Sequence, residues 1–398
     1  MIGAMTWRLL TGADPRLLAR FAYLGGWKGS RAVTRFQRRS ARGARSPAFL
    51  FISLTDRCNL NCRGCWVTAA NPPREMDPAV LDALITTWKT ENRTNFFGLL
   101  GGEPLLYPHL LDVLQRHRDC YFQVLTNGWL LDDAMAGAFR RLGNVTPLIS
   151  IEGNPEASDA RRGAREVLRH SLAALEACRR HRLIFGVASS ICKQNLEDLA
   201  SEAFVRAMID QGAHYLWYYI YRPVGPDPAP ELALEADEIL RLRRFLVDAR
   251  CRFPIMLIDA YWDAEGNALC PAAEGISHHI GPGGDIEPCP PIQFAAETIG
   301  TGREINQRFE NSTFLHAFRA LAAEKGRGCL LLDAPAELHD WLQRVGARDT
   351  SGRGTGLDEI KSMRRRACHH LPGQEIPERH WLYRWAKRRW FFGFGAYG

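Results

Sequence analysis

The sequence lacks the features that would place a protein in a membrane or outside a cell. No apolar run approaches the roughly 18 residues that a membrane-spanning helix needs. The beginning, MIGAMTWRLL, has no long apolar stretch typical of a secretion signal. We find no internal repeat along the 398 residues, which argues against a solenoid or a propeller. We therefore expect a globular, cytoplasmic protein with one large domain and a smaller one.

A disulfide framework is a further absence. Eleven cysteines are an odd number, and three of them lie within residues 58–65, a spacing that fits poorly with a secreted, disulfide-bonded protein. Thiolate metal ligands in a reducing compartment explain this crowding better.

Acidic residues are scarce at both ends of the chain. Residues 1–47 hold ten Lys and Arg against Asp14 alone, and residues 361–398 hold nine against two acidic residues. The residues between them carry an excess of negative charge, although the whole chain has a formal net charge of +7. This asymmetry predicts that the ends, rather than the central part, meet an anionic partner.

Aromatic residues accompany the basic residues at both ends. The C-terminal aromatic residues are Trp381, Tyr383, Trp385, Trp390, Phe391, Phe392, Phe394 and Tyr397. Because aromatic rings beside cations favour the headgroup region of a bilayer, a peripheral, anionic membrane surface is one interpretation. Packing of the tail against the protein body is a second. Binding of single-stranded nucleic acid or a peptide is a third, in which nucleic acid is disfavoured.

Strands and helices alternate after residue 47. We predict strands at 46–54, 95–100, 121–125, 146–151, 183–190 and 214–221. We predict helices at 78–91, 108–117, 131–142, 160–181 and 196–211. This order implies a parallel sheet with right-handed crossovers, open or closed into a barrel, whose ligands gather where the strands end.

The second half of the chain is less regular. The proline-rich segment 224–231 marks a boundary, and helices are predicted at 235–251, 312–325 and 335–345. Residues 265–300 have little periodicity, so this segment needs a stabilising cross-link from outside the chain, such as a bound metal. Residues 350–356 have the composition of a flexible linker. We predict four units: a basic leader (1–47), a barrel (48–225), a small domain with its linker helix (226–345), and a linker with a basic aromatic tail (346–398).

The strongest motif is the loop Cys58-Asn-Leu-Asn-Cys62-Arg-Gly-Cys65. Three thiolates at this spacing suit three irons of one [4Fe-4S] cubane and leave the fourth iron open to a small chelating molecule. A zinc site or unligated thiols are the alternatives, but zinc would want a fourth ligand and usually a second C-x2-C pair.

This motif resembles the signature of the radical S-adenosylmethionine (SAM) superfamily, and the resemblance extends over residues 48–222. It implies a partial (β/α)6 barrel in which Cys58, Cys62 and Cys65 hold the cluster that cleaves SAM. Residues that resemble the SAM-contacting positions follow the other strands: Gly101, Gly102, Glu103, Pro104, Asn127, Ser150, Glu152 and Ser189. The family often has an aromatic residue before the third cysteine, where this chain has Gly64.

A second set of cysteines resembles the start of a SPASM or twitch extension, which carries an auxiliary iron-sulfur cluster. Cys270, Cys289 and Cys329 are the expected ligands, with Cys368 as a candidate fourth. Such a cluster would stabilise the aperiodic region, because metal binding contributes folding energy. The alternative is that these are ordinary buried cysteines. Four histidines are weaker candidates for further ligands, because loop or surface positions explain them better: His278, His279, His369 and His370.

The resemblance implies an enzyme whose 5′-deoxyadenosyl radical abstracts hydrogen, supplied with electrons by a reductant such as ferredoxin or flavodoxin. A lipid or isoprenoid substrate follows if the ends dock on a membrane, and a peptide or protein substrate if they do not. A non-catalytic iron-sulfur carrier is a third hypothesis, which the GGEP sequence disfavours. The absence of a D-x-H-x-x-G motif disfavours a cobalamin-dependent methyltransferase. Tyr219, Tyr221 and Arg222 are candidates to face the substrate.

Overall fold

The computed structural model describes residues 1–300 and 304–389. The aromatic residues of the tail from Trp390 onward, which form part of the predicted membrane-binding end, lie outside this range. The strands are β1 Phe49–Ser53, β2 Phe96–Leu100, β3 Tyr121–Thr126, β4 Val145–Ser150, β5 Gly186–Ile191, β6 Tyr215–Ile220, β7 Met256–Ile258, β8 Ser277–Ile280, β9 Ile286–Glu287, β10 Phe294–Ala295 and β11 Arg348–Asp349.

Nine of these strands form one sheet, in the order β7-β6-β5-β4-β3-β2-β1-β8-β9. All pairs are parallel except β8 with β9. The sheet is strongly curved, because Tyr215 of β6 shares hydrogen bonds with Gln123 of β3 and Thr146 of β4 inside it. The predicted α/β class with a partial barrel is confirmed. We call the end where the strands begin the foot, and the end where they finish the mouth.

The two faces of the strands follow the alternation of the sequence. Phe49 and Phe51 of β1 pack inside the barrel, while Leu50 and Ile52 pack against the surrounding helices. The α-helices are α1 Ile2–Gly12, α2 Pro15–Phe21, α3 Gly29–Ser40, α4 Pro78–Thr87, α5 Leu110–Arg116, α6 Asp133–Leu142, α7 Pro155–Arg162, α8 Val167–Arg180, α9 Leu196–Leu199, α10 Glu202–Asp210, α11 Ala236–Arg252, α12 Ile305–Glu310, α13 Thr313–Lys325, α14 Leu330–Asp333, α15 Pro335–Arg344, α16 Gly356–Ser362 and α17 Trp381–Arg389.

One predicted helix is broken. The segment 160–181 contains the end of α7 and all of α8, and Gly163 between them has a φ of +65°. A Cβ atom at this glycine would lie 2.4 Å from the carbonyl oxygen of Asn61. The break therefore lets the cysteine loop approach the helix, a tertiary contact that periodicity does not reveal.

The basic leader is folded, which its composition did not predict. It forms α1, α2, a π-helical segment at Ala22–Lys28, and α3, and these elements cover the foot. Arg8 of α1 donates to the carbonyl oxygens of Ala213 and Pro254, just before β6 and β7. Phe21 packs on Tyr121 at the start of β3. From the other end of the chain, Tyr383 of α17 accepts a hydrogen bond from the backbone N–H of Leu257.

The small domain is not separate from the barrel sheet. Strand β8 pairs along its whole length with β1, so residues after the predicted boundary at 226 extend the same sheet. The segment expected to be a flexible linker is also held in place. Thr350 and Ser351 are buried, and Arg353 forms a bidentate ion pair with Glu359. The four-unit division itself stays a prediction.

Buried charges attach the C-terminal segment to the barrel. Arg243, Arg250, Asp259, Glu378 and Lys387 form one ion cluster whose side chains are no more than 1 % exposed. Burying charge is costly unless it is paired, and here three cations share two carboxylates. The cluster fixes α17 against β7.

Candidate functional site

A cavity of about 390 Å³ opens at the mouth of the barrel. Loops that follow β1 to β6 form one side of it, and residues of the small domain form the other. This is the position at which parallel α/β folds bind ligands, because the loops after successive strands converge there.

The three cysteines of the motif all line this cavity. Their loop is held at both sides: the N–H of Arg63 donates to the carbonyl oxygen of Arg161, and the N–H of Gly64 donates to that of Asp227. Burial raises the pKa of Cys58 to about 11 and that of Cys65 to about 12, so both are thiols at neutral pH in the metal-free chain. A bound metal would reverse this, because coordination deprotonates a thiol.

The cysteines do not converge on a single point. Among the described residues, no group of three or more His, Cys, Asp and Glu side chains could hold one metal ion. A tetrahedral zinc site, with Zn–S bonds of about 2.3 Å, requires such convergence. A cubane holds each sulfur on a different iron and needs a wider arrangement, which thiols distributed along a cavity wall provide.

The two glycines of GGEP are required by close backbone contacts. A Cβ atom would lie 2.3 Å from the carbonyl oxygen of Thr55 at Gly101, and 2.1 Å from that of Arg57 at Gly102. Both glycines line the cavity. The loop after β2 is thereby pressed against the loop that leads into the cysteines.

Glu103 and Pro104 do not line the cavity, and the contact of both with SAM stays a prediction. Glu103 is fully buried and accepts hydrogen bonds from the Thr126 hydroxyl at 2.7 Å and the Asn127 N–H at 2.8 Å. Burial raises the pKa of Glu103 to about 7. Its carboxyl group joins the loop after β2 to the end of β3 and the residue that follows it. Pro104 begins a 3-10 turn at Pro104–Leu106.

Asn127, Ser150 and Glu152 line the cavity, and their contact with SAM stays a prediction. Glu152 is 3 % exposed and forms an ion pair with Arg162 through one oxygen. Its other oxygen, Oε2, has no hydrogen-bond partner among the described residues. A buried acceptor of this kind is costly unless a ligand supplies a donor. Arg162, which sequence reasoning missed, also lies 3.8 Å from the sulfur of Cys62.

The serine of β5 that faces the cavity is Ser190, whereas Ser189 does not line it. Side chains alternate between the two faces of a strand, and Ala188 and Ser190 share the inner face. The contact of Ser189 with SAM stays a prediction, and its neighbour Ser190 is a further candidate on the inner face of the strand. The alternation of this strand, once its register was known, would have selected Ser190.

The space before the third cysteine is filled from another strand. Gly64 has a φ of +66°, and a Cβ atom there would lie 1.9 Å from the Tyr221 hydroxyl oxygen and 2.5 Å from the nearest carbon of its ring. Tyr221 lines the cavity, donates to the carbonyl oxygen of Pro228 at 2.6 Å, and lies under the guanidinium of Arg161. The departure at position 64 thus coincides with an aromatic ring supplied by the residue after β6.

The second set of cysteines lines the same cavity from the opposite side. Cys270, Cys289 and Cys329 all reach it, and burial raises the pKa of Cys270 to about 11 and that of Cys289 still further. Arg222 donates from Nε to the sulfur of Cys329 at 3.2 Å. Cys368 is buried beside this group, and a Cβ atom at Gly328 would lie 2.4 Å from its sulfur.

Two of the histidines weighed as ligands are already hydrogen-bonded at both ring nitrogens. His278 contacts the carbonyl oxygen of Pro288 and the guanidinium of Arg319. His279 contacts Glu287 and the hydroxyl of Ser53. Since a metal needs a free ring nitrogen, these contacts favour cysteine ligands over these two histidines.

Residues 52–201, from within β1 to the residue before α10, match the family model of the radical SAM superfamily. They are a radical SAM domain. This match confirms the resemblance based on the cysteine and GGEP motifs and the expectation of an enzyme. The cofactors of a radical SAM domain are a [4Fe-4S] cluster and SAM.

Known proteins support this assignment over part of the chain. The chain is 26% identical over 197 residues to an AdoMet-dependent heme synthase of Methanosarcina barkeri (strain Fusaro), covering 48% of this chain and 56% of that protein. It is 30% identical over 196 residues to a pre-heme d1 synthase of Dinoroseobacter shibae, covering 47% of each. The chain thus spans about half the length of these curated relatives.

A solved structure has a similar fold. Streptococcus suis SuiB bound to its precursor peptide SuiA superimposes with a TM-score of 0.59, covering 87% of this chain and 79% of that chain. Sequence identity is 14%, so the likeness concerns the fold alone. It extends beyond the radical SAM domain into the small domain.

The residues present fit the cofactors of a radical SAM domain. Three thiols and two glycines border the cavity where the cluster and the polar end of SAM would bind. Glu152, which has a free carboxylate oxygen, and Asn127 line the same cavity as these thiols and glycines. The donor set and the unpaired buried acceptor are both explained by a ligand at this position.

Proposed function

We propose that this chain is an iron-sulfur enzyme that cleaves SAM reductively to a 5′-deoxyadenosyl radical and abstracts hydrogen from a peptide substrate. The observation that carries the proposal is that Cys58, Cys62 and Cys65 line one cavity at the mouth together with residues at SAM-contacting positions of the family, which we call the SAM-type positions. These are Gly101, Gly102, Asn127, Ser150 and Glu152. When bound, the cluster and SAM supply the electron transfer and the radical. The protein binds, orients and shields the reactants.

The side chains of the cavity have separable tasks in this proposal. Glu152 and Asn127 offer hydrogen-bonding atoms to the polar groups of SAM, and Ser190 extends this polar wall. Arg162 neutralises Glu152 and places positive charge beside Cys62, where a thiolate-bound cluster carries negative charge. Tyr221 supplies the aromatic surface that position 64 does not.

We infer that Cys270, Cys289 and Cys329 bind an auxiliary iron-sulfur cluster, with Cys368 as the nearest candidate for a fourth ligand. Two features support this inference: these three thiols line the cavity opposite the SAM-type positions, and Arg222 points a cation at Cys329. A charge-assisted hydrogen bond to a ligand sulfur is a means by which proteins adjust the potential of a cluster.

A peptide is the substrate class that the cavity favours. A second cavity of about 450 Å³ adjoins the first, and Trp66, Val224, Pro291 and Leu331 line both. The connected space suits an extended chain better than a compact molecule. The SuiB fold, solved with a precursor peptide, supports the same choice. A lipid or isoprenoid is the second candidate, because the basic aromatic ends favour a membrane; it is the weaker candidate, because those ends lie at the foot, away from the mouth.

The proposal also includes partners. Reduction of a buried cluster needs a low-potential donor such as ferredoxin or flavodoxin, and the exposed aromatic residues at the ends of the chain support a peripheral position at an anionic membrane. Within residues 1–300 and 304–389, no helix is both long and apolar enough to cross a bilayer. A non-catalytic carrier is disfavoured, because the SAM-type wall would then have no task.

The test is anaerobic reconstitution with iron and sulfide, followed by incubation with SAM and dithionite. The wild-type chain should bind about eight irons and release 5′-deoxyadenosine, since each cubane holds four irons. Cys62→Ala should abolish the release, and Cys289→Ala should lower the iron content to about four. Cys251→Ala, an exposed cysteine outside both groups, is the matched control. Undiminished 5′-deoxyadenosine from Cys62→Ala would refute the proposal.

A further inference from the structure

The foot of the barrel carries an unusual number of exposed aromatic side chains. They lie on α1, on the π-helical segment Ala22–Lys28 and on α17: Trp7, Tyr23, Trp27, Trp381 and Trp385, between 46% and 68% exposed. Helix α1 buries none of its residues completely. Residues from both ends of the chain share one cluster here, because Leu24 and Phe36 pack with Tyr383.

A pocket of about 510 Å³ lies on the same end of the molecule. We call it the basic pocket. Its charged side chains are Lys28, Arg31, Arg35, Lys89, Arg93 and Asp119. Five cations therefore face one carboxylate, and that carboxylate is paired with Lys89 at 3.0 Å. In the described part of the chain, no carboxylate lies within ion-pairing distance of Arg35 or Arg93.

Two aromatic rings orient two cations of the basic pocket, and one of these rings, that of Trp27, lines the pocket itself. Tyr23 and Trp27 are stacked with their ring centroids 5.6 Å apart. The Lys28 ammonium lies 5.1 Å from the Tyr23 ring, and the Arg31 guanidinium lies 4.8 Å from the Trp27 ring. Aromatic rings prefer the interface between water and a bilayer, so cations stacked on exposed rings are well placed to contact an anion at that interface.

We infer that the foot is a docking surface for an anionic phospholipid bilayer, with the basic pocket holding headgroup phosphates and the exposed tryptophans entering the headgroup region. Each cation near an anionic membrane strengthens binding about five-fold, so the excess charge of the pocket is sufficient for reversible attachment. This site extends the proposed function and does not depend on the chemistry at the mouth.

Other occupants fit the foot less well. An acidic electron donor must approach the cysteines, yet the foot is the opposite end of the barrel. A second copy of the chain would bring two positively charged surfaces together, which is repulsive. An anionic bilayer supplies negative charge and an interface for aromatic rings, and the foot carries the cations and the aromatic side chains that bind to each.

The location of the surface constrains the substrate. The barrel strands contain five or six residues, so foot and mouth are separated by about 16–20 Å of strand alone. A chain attached through its foot would hold its mouth away from that bilayer. Membrane attachment therefore favours a substrate that arrives from solution, such as a peptide, over a lipid extracted from the same membrane.

The test is flotation of the full-length chain with vesicles, without SAM or reductant. We expect binding to phosphatidylcholine vesicles with 30 mol% phosphatidylglycerol, at least ten-fold weaker binding to pure phosphatidylcholine, and loss of binding in 500 mM NaCl. The triple variant Arg31→Glu, Arg35→Glu, Arg93→Glu should weaken binding at least a hundred-fold, as three cations at about five-fold each require.

The matched control has the same change of charge elsewhere: Arg165→Glu, Arg244→Glu, Arg344→Glu, three exposed arginines outside the foot. It should bind within two-fold of the wild type after allowance for net charge. Equal weakening by both triple variants would overturn the inference, since binding would then depend on total charge. So would absence of vesicle binding at low salt, or capture by an acidic protein in its place. SAM cleavage is measured separately, so its failure is distinguishable.

Discussion

The contact between Gly64 and Tyr221 provides the sharpest test of the site. Substituting Gly64→Ala adds one methyl group at a φ of +66°, directly against the tyrosine ring. The left-handed backbone alone costs a residue with a Cβ atom about 1 kcal/mol. Displacing a packed ring or the cysteine loop should cost a further 1–3 kcal/mol, the usual penalty for overpacking. The expected destabilisation is about 2–4 kcal/mol.

A second glycine separates these two contributions. Gly346 has a φ of +62°, and a Cβ atom there would meet nothing within 4 Å. Gly346→Ala should therefore cost only the backbone contribution of about 1 kcal/mol. Equilibrium urea unfolding of the metal-free chains, followed by circular dichroism, measures both changes in the free energy of unfolding.

A double-mutant cycle tests whether Tyr221 is the cause. In the background Tyr221→Ala the obstructing ring is absent, so Gly64→Ala should cost about 1 kcal/mol rather than 2–4. The resulting coupling energy of about 1–3 kcal/mol is in the range found for residues in direct contact. Additive effects of the two substitutions would refute the claim that Tyr221 occupies the space beside the third cysteine.

Three further predictions concern acid stability, the ion cluster and the SAM wall. Burial lowers the pKa of His214 to about 4 from an ordinary 6.5. The stability this residue contributes is present above pH 6.5 and lost as the pH falls through 4, at up to about 1.4 kcal/mol per pH unit, so His214→Gln should flatten the acid limb of the unfolding profile. Glu378→Gln should lower the free energy of urea unfolding by about 3–5 kcal/mol, because it leaves buried cations unpaired. Lys387→Met leaves two cations with two carboxylates, so it should change that free energy by about 1 kcal/mol or less. Equal losses in the two variants would contradict this account of the cluster. Ser190→Ala should weaken SAM binding five- to ten-fold in equilibrium dialysis and Ser189→Ala should not, since only Ser190 lines the cavity.

The sequence was informative about the site wherever a residue's role follows from its type and spacing. The thiols at 58, 62 and 65 and the glycines at 101 and 102 could be placed because their chemistry restricts the alternatives. Which of Ser189 and Ser190 faces the cavity did not follow from the sequence, because the strand register depends on its neighbours. Arg162 was missed for another reason: it approaches Cys62 only because α7 ends at Gly163, a break imposed by a distant loop.

The ends of the chain show a different limit of sequence reasoning. Their basic and aromatic composition predicted an anionic partner, yet the same composition is shared by helices with one buried face. In α3, Ala32, Val33 and Phe36 are buried and arginines occupy the rest of the surface. Composition averages over both faces of a helix, so it did not reveal that one face of these helices is buried against the barrel.

The end of β6 relates the two groups of thiols to each other. Tyr221 fills the space beside the first cysteine loop, and the next residue, Arg222, donates to Cys329 of the second group. Tyr219, two residues before Tyr221, faces the same cavity, and its buried hydroxyl has no partner among the described residues. Burial raises the pKa of Tyr219 well above its ordinary value, so the hydroxyl remains a donor at any physiological pH. Since a buried donor is retained at a cost unless something accepts from it, Tyr219 is the residue we expect to bind the substrate between the two groups of thiols.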